Sequence, residues 1–241
     1  MNLSSSKPLL VLLGALVATG ASGQTVTESA SLLVGLNIPD NNPTGLVSTI
    51  TFSSDLTSLT DVNVLLNISG GWNGDLYASL VHDSGLAVLL NRVGRQNADL
   101  SGYSDPGFSV MLDDEAVRGD IHRYRLALFG NPSTPVGGAL TGVWAPDGRS
   151  VEPLLALDSD SRTSLLSSFH NLDAQGAWTL TLKDVSPGDV SQLVSWSLEV
   201  TGQVPEPSAA LLWLTAAPGL WWMLRGRTKP LRNGPSPFPP S

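Results

Sequence analysis

The amino-acid sequence predicts an all-β fold, an antiparallel jelly-roll β-sandwich, for the segment between residues 24 and 203. Apolar and polar residues alternate with a period of two in short stretches from Ser31 to Thr201, which is typical of strands with one buried face. Glycine and proline turn motifs separate these stretches. The composition agrees, because 24 Gly, 17 Pro and 14% charged residues indicate a turn-rich folded chain rather than a disordered chain or a coiled coil.

Three stretches predict strands most clearly, at residues 62–68, 178–182 and 194–200. In each, every second residue is apolar, and Trp178 and Trp196 lie on the apolar side, which predicts that both pack in the core. The predicted turns are Gly70-Gly71, Asp83-Ser84-Gly85, Asp105-Pro106-Gly107, Pro146-Asp147-Gly148 and Pro187-Gly188-Asp189. This spacing predicts about eight short strands. Only Ser161 to His170 could hold a short helix.

The N-terminus resembles a secretory signal peptide over residues 1–23. Lys7 supplies a positive charge, and an apolar stretch from Leu9 to Val17 follows it. Small residues then precede a predicted cleavage site between Gly23 and Gln24. The alternative is a buried N-terminal helix, but the segment has no amphipathic face.

A second apolar run lies near the C-terminus, from Ser208 to Leu224. As a helix its 17 residues would extend about 25 Å, at the short end for crossing a bilayer. Tryptophans within the run and arginines after it suit a transmembrane helix whose C-terminal end stays in the cytoplasm. Pro218 would kink this helix, and Pro205-Glu206-Pro207 stops any helix arriving from the N-terminal side.

This layout resembles the PEP-CTERM sorting signal, with Pro205, Glu206 and Pro207 as the motif and residues 204–227 as the whole signal. The resemblance implies an inner-membrane-anchored precursor that an exosortase cleaves. Its product would reach the cell envelope or extracellular matrix of a Gram-negative bacterium. Residues 228–241 would form a proline-rich cytoplasmic tail. The alternative is an ordinary C-terminal membrane anchor.

Charge and cysteine content exclude several classes of function. Residues 24–203 carry 20 Asp and Glu against 8 Lys and Arg, a net charge of −12, which repels phosphate backbones and argues against nucleic-acid binding. The sequence contains no cysteine, which excludes disulfides, thiolate metal sites and cysteine nucleophiles.

The central segment carries a series of short motifs in a fixed order. They are Ile38-Pro39-Asp40-Asn41-Asn42-Pro43, Asp61-Val62-Asn63-Val64, Gly74-Asp75-Leu76, Asp113-Asp114-Glu115-Ala116, Trp144-Ala145-Pro146-Asp147-Gly148, Gly176-Ala177-Trp178-Thr179-Leu180, Asp184 and Ser195-Trp196-Ser197-Leu198. This series resembles the P domain (P/Homo B domain) that follows subtilisin-like proprotein convertases. The resemblance implies a jelly-roll β-sandwich that stabilises a protease and does no chemistry itself. Two stretches look atypical for the family, Arg118 to Pro135 and Arg149 to Asp173.

The sequence predicts no enzyme activity and no catalytic residues. A subtilisin-like protease domain would need several hundred further residues with Asp, His and Ser in separate motifs. His82-Asp83-Ser84 contains the residue types of a catalytic triad, but consecutive strand residues point in divergent directions. Three histidines, His82, His122 and His170, share no metal-binding spacing and are predicted to lie at the surface or in turns.

Calcium is the one cofactor that the sequence suggests. Asp113, Asp114 and Glu115 place three adjacent carboxylates together, and calcium prefers such oxygen ligands. Asp40, Asp75 and Asp184 could contribute if the fold brings them near. The alternative is a solvated acidic turn. If calcium binds, Asp114→Asn should abolish its stabilising effect and leave the metal-free melting temperature equal or slightly higher.

Three functions remain open from the sequence. The first is an exported, non-catalytic module sorted to the envelope or matrix. The second is a carbohydrate-binding module for an extracellular polysaccharide, with Trp72 in a glycine turn as its aromatic platform and Trp144 and Tyr103 as further aromatics outside the strands. The third is an accessory domain to a separately encoded serine protease.

Overall fold

The computed structural model describes residues 23–205, which form two β-sheets packed face to face. A five-stranded sheet has the order β1-β9-β3-β6-β7 and a four-stranded sheet has the order β2-β8-β4-β5. The strands are β1 (Gln24–Asn37), β2 (Leu46–Phe52), β3 (Ser58–Gly70), β4 (Leu76–His82), β5 (Gly85–Asn91), β6 (Phe108–Leu112), β7 (Leu140–Trp144), β8 (Gly176–Asp184) and β9 (Ser191–Val204). The predicted all-β sandwich is confirmed, with nine strands described.

One strand pair departs from the antiparallel prediction. β6 and β7 run parallel, with Phe108 opposite Leu140 and Leu112 opposite Trp144. A parallel neighbour needs a crossover connection of about a dozen residues or more. The stretch from Arg118 to Pro135, which looks atypical in the sequence, lies in that crossover.

The helical segments of the described part are short. Helix α1 (Tyr124–Phe129) lies in the crossover and ends at Gly130, whose φ of 66° suits a glycine. Its six residues are too few for helical periodicity to show in the sequence. The only helix predicted, between Ser161 and His170, corresponds to a four-residue 3-10 turn at Leu166–Phe169. Two further 3-10 turns lie at Asn73–Asp75 and Ile121–Arg123.

The core lies between the two sheets. Trp178 and Trp196 are buried there as predicted, and the ring of His82 stacks on Trp178 with centroids 4.0 Å apart. Trp144 and Tyr103 were expected as available aromatics outside the strands. Tyr103 does lie outside the strands, but neither ring is exposed. Trp144 is the last residue of β7 and is fully buried, while Tyr103 packs edge-on against another tyrosine and is also buried.

The two ends of the described chain lie side by side. Gln24 at the start of β1 pairs with Val204 at the end of β9. The predicted signal peptide, Glu206 and Pro207 of the sorting motif, and the predicted transmembrane helix lie outside the described residues, apart from Gly23 and Pro205 at the two borders. Within residues 23–205, no helix combines the length and apolar character needed to cross a membrane.

Candidate functional site

The most concentrated polar chemistry of the described residues surrounds His122, inside the protein. His122 Nδ1 lies 2.7 Å from Asp147 Oδ2, and His122 Nε2 lies 2.9 Å from the carbonyl oxygen of Arg95. Both partners accept hydrogen bonds, so only a protonated ring can satisfy both by donating twice. Burial alone would lower the pKa of His122, but the hydrogen bond and negative charge of Asp147 outweigh it and raise that pKa.

Two more charges complete this buried cluster. Arg149 Nη1 donates to Asp147 Oδ1 (3.1 Å) and Arg149 Nη2 donates to Asp120 Oδ2 (2.7 Å). The backbone N–H groups of Asn91 and Arg149 also donate to Asp147. Two positive and two negative groups therefore neutralise each other, which is the condition under which buried charges are tolerated. We call His122, Asp147, Arg149 and Asp120 the buried charge cluster.

The prediction that all three histidines lie at the surface or in turns is wrong for His82, which belongs to β4, whereas His122 lies in a 3-10 turn but not at the surface. His122 is fully buried, and His82 is buried with its ring nitrogens facing the carbonyl oxygens of Ala177 and Asp173. His170 does lie in a turn and is partly exposed. The sequence carried one usable signal for the cluster, the Asp-x-His and Asp-x-Arg spacings at 120–122 and 147–149, because an aspartate in a turn can accept a hydrogen bond from the backbone N–H two residues on, as both do here.

The geometry of the cluster does not support catalysis. A histidine held by a carboxylate at Nδ1 is an element of a catalytic triad. In a triad, however, Nε2 faces a nucleophile, whereas Nε2 of His122 faces the Arg95 carbonyl oxygen and the whole side chain is sealed from solvent. His82 in His82-Asp83-Ser84 is likewise held by carbonyl groups, and Asp83 lies in the β4–β5 turn. Both arrangements stabilise the fold.

A second buried carboxylate anchors the crossover. Asp105 Oδ2 accepts hydrogen bonds from the Tyr124 hydroxyl (2.6 Å) and Arg125 Nε (2.7 Å). Asp105 Oδ1 accepts from the backbone N–H of Val136 (2.7 Å). One side chain before β6 thus fixes both the start of α1 and the approach to β7.

The residues of the acidic stretch predicted to bind calcium, Asp113 to Glu115, make different hydrogen bonds in the structure. Asp114 accepts from the backbone N–H groups of Leu166 (3.1 Å) and Ser167 (2.7 Å), and so holds the 3-10 turn there. Asp113 Oδ1 accepts from the backbone N–H of Glu115 (2.8 Å). Among residues 23–205, no three or more His, Asp or Glu side chains stand in an arrangement that could hold a metal ion. Calcium binding here stays a prediction.

Asp114→Asn should lower the free energy of unfolding by about 1 kcal/mol in calcium-free buffer. Asparagine keeps one acceptor oxygen for the 166–167 backbone but replaces the other with an N–H group. Chemical unfolding in EDTA measures this, with Asp99→Asn as the control, since the Asp99 side chain accepts only from the backbone N–H of Ser101 in an exposed turn. An equal or higher stability of Asp114→Asn would support crowded, repelling carboxylates instead.

The fold brings Asp75 and Asp184 together, away from the acidic stretch. Leu76 pairs with Asp184 across β4 and β8, and Arg92 Nη2 lies 3.5 Å from Asp75 Oδ1. Burial raises the pKa of Asp184 to about 6, and the charges of Asp75 and Asp40 add to the increase. Burial also raises the pKa of Asp75, although Arg92 opposes it. These carboxylates lie near the beginning of β6, whereas Asp113 to Glu115 follow its end.

Asp184→Asn should stabilise the protein by about 1–3 kcal/mol above pH 6. A carboxyl whose folded pKa is raised opposes folding when it is charged, so wild-type stability should rise as the pH falls from about 6 to about 4. Asparagine removes the charge and keeps an oxygen for the Ser186 N–H. Melting curves from pH 4 to 8 test this, with exposed Asp189→Asn as control. A variant that keeps the wild-type pH dependence would contradict the assignment.

Trp72 lies where the sequence predicts, in the turn after β3. Its side chain is 44% exposed, the largest exposure among the described tryptophans. Gly71 before it has a φ of 62°, and a Cβ at that position would collide with Ser191 Oγ, which explains the glycine. Ligand binding at Trp72 stays a prediction.

The solved structures similar to this chain include two of a bacterial serine protease. No protein-family model matches the sequence, and no curated protein does. One structure is of the Aeromonas sobria serine protease in complex with the chaperone ORF2, with 18% identity, a TM-score of 0.41, and coverage of 75% of this chain and 27% of that chain. The other is of the Aeromonas sobria serine protease, with 15% identity, a TM-score of 0.42, and coverage of 77% and 28%. This chain thus spans little more than a quarter of either.

Proposed function

We propose that this chain is a non-catalytic β-sandwich module of the P/Homo B type. One observation carries the proposal: the His122–Asp147 pair, the only His–carboxylate pair within 4 Å among residues 23–205, is completely buried. The motifs that resemble the P domain support the proposal, because their residues form the structural framework of the domain. Trp178 and Trp196 fill the core from β8 and β9.

The same resemblance favours an accessory role toward a separately encoded serine protease, since P domains stabilise a protease. The test has two arms. The purified protein should neither react with a fluorophosphonate probe nor cleave casein, and reaction with either would contradict a non-catalytic module. In the second arm, proteases cross-linked to the protein in culture supernatant are identified by mass spectrometry. Addition of the protein should slow their thermal inactivation, and unchanged rates would contradict the accessory role.

We further propose that the module is exported and sorted through its C-terminal signal, with an exosortase as processing partner. The sequence of residues 204–227 supports this, as does the pairing of Gln24 with Val204, because the two predicted processing sites border these residues. Intact-mass measurement of the extracellular protein tests it. The expected mass begins at Gln24 and lacks the residues after the Pro-Glu-Pro motif. A complete C-terminus would contradict exosortase processing and favour a retained anchor.

A further inference from the structure

A groove of about 400 Å³ crosses the outer face of the five-stranded sheet. Val64 and Leu66 of β3 are buried in the core, so their neighbours Leu65 and Asn67 project outward. Serines on the adjacent strands are short and leave the depression between the larger side chains. The outward-facing side chains that line it are Leu65, Asn67, Ser109, Met111, Ser195 and Ser197.

The strand register sorts the groove into two parallel rows. Leu65, Met111 and Val143 stand opposite one another on β3, β6 and β7 and form an apolar row. Asn67, Ser109 and Thr141 form the next row and offer amide and hydroxyl groups. The floor is therefore hydrogen-bonding along the Asn67 row, and along the Leu65 row it is apolar except at Ser197 of β9.

The groove carries no ionisable side chain among its lining residues, although the surrounding domain is strongly acidic. An anion would find no positive partner among these residues, and Glu199 in the next row, opposite Asn63, would repel it. Leu65, which lines the groove, exposes 39% of its surface, and a ligand with apolar faces would cover it. The volume lies within the range of roughly 300–1,000 Å³ that is usual for small-molecule sites.

We propose that this groove binds a chain of a neutral polysaccharide. Each sugar ring presents apolar C–H groups on its faces and hydroxyl groups at its edges, which matches the two rows. Neighbouring strands lie about 4.8 Å apart, close to the length of one sugar unit, so the path from β9 to β7 accommodates about three units. This binding is independent of the proposed protease role.

Titration calorimetry on the purified full chain tests the proposal. The probes are the neutral hexasaccharides of cellulose, xylan, mannan and chitin, with hexagalacturonate as the acidic comparison. At least one neutral probe should bind, with an affinity that changes little between low and high salt. Absence of binding to every neutral probe, or binding only of the acidic probe, would overturn the proposal.

Two variants and one control locate the site. Leu65→Ser and Asn67→Ala should each weaken binding about tenfold, since each removes part of one row. Both side chains point away from the core, and unchanged melting temperatures would establish that the variants fold. Trp72→Ala is the matched control and should bind as the wild type does. Loss of binding in Trp72→Ala with retention in both groove variants would place the ligand at the glycine turn and refute the groove.

Discussion

Replacing Asp147 with alanine should lower the free energy of unfolding by about 3–5 kcal/mol, because it breaks a buried ion pair by removing one partner. The change removes the acceptor for His122 and for one Arg149 nitrogen, and it leaves the backbone N–H of Asn91 without its carboxylate partner. Arg149 would remain charged inside the protein with only Asp120 to balance it. Urea unfolding monitored by tryptophan fluorescence measures the loss.

The matched control for this prediction is Asp158→Ala. Asp158 lies 3.9 Å from Arg123, whose side chain is 50% exposed, and ion pairs of that kind contribute about 0–1 kcal/mol. Similar small losses in both variants would contradict a neutralised buried charge cluster.

The pH dependence gives a second, independent readout of the same cluster. Because the folded pKa of His122 is raised, its stabilising contribution is complete below its unfolded value of about 6.5 and is lost as the pH rises through the folded pKa. Wild-type stability should therefore fall in a window above about pH 6.5, separate from the Asp184 window between about pH 4 and 6. Asp147→Ala should lose the upper window and keep the lower one.

Asp105→Ala should also cost about 3–5 kcal/mol, since Asp105 is buried and paired with Arg125. Its removal releases three donors, one on the Tyr124 hydroxyl, one on Arg125 and one on the backbone of Val136. We expect the loss of stability to come with faster proteolysis in the crossover at residues 118–136, because the carboxylate ties that segment to the loop before β6.

Tyr124→Phe tests whether the effect of Asp105→Ala comes from releasing the crossover or from a general disruption of the core. It removes one of the three hydrogen bonds to Asp105 and the weaker bond from Asn73 Nδ2 to the hydroxyl (3.3 Å), and it leaves the ion pair, so a loss of about 1–2 kcal/mol is expected. Limited proteolysis followed by mass spectrometry identifies the cleavage sites in both variants. Cleavage of Asp105→Ala spread evenly over the chain, without preference for the crossover, would contradict the anchoring role.

The sequence predicted what depends on local pattern. The alternation at 62–68 became β3, and the parity of Trp178 and Trp196 placed both in the core, because strand side chains alternate faces whatever the partner strand is. The turn at Asp83-Ser84 needed only local chemistry as well. The order of the strands in a sheet, by contrast, does not depend on local pattern. Nothing in a period of two tells which strand lies beside β6, and the parallel pairing with β7 depends on how the crossover folds.

The polar interior could not be predicted for a related reason. His122 and Asp147 are 25 residues apart, and only the packing of two loops brings them to 2.7 Å. A histidine among hydrophilic residues is predicted to lie at the surface as long as its hydrogen-bond partners are unknown. Conversely, the adjacent carboxylates Asp113 to Glu115 attract attention in the sequence, yet Asp114 serves the backbone at Leu166 and Ser167.

The position of β9 also determines how the domain would bear mechanical load. A load applied through the residues after Val204 would enter along β9, which is hydrogen-bonded to β1 on one side and β3 on the other. Antiparallel ladder bonds lie perpendicular to the strands. Tension along β9 would therefore shear both ladders at once, whereas pulling Gln24 and Val204 apart would peel β1 away one pair at a time. Attachment through the C-terminal end alone thus loads the sandwich in its mechanically strong direction.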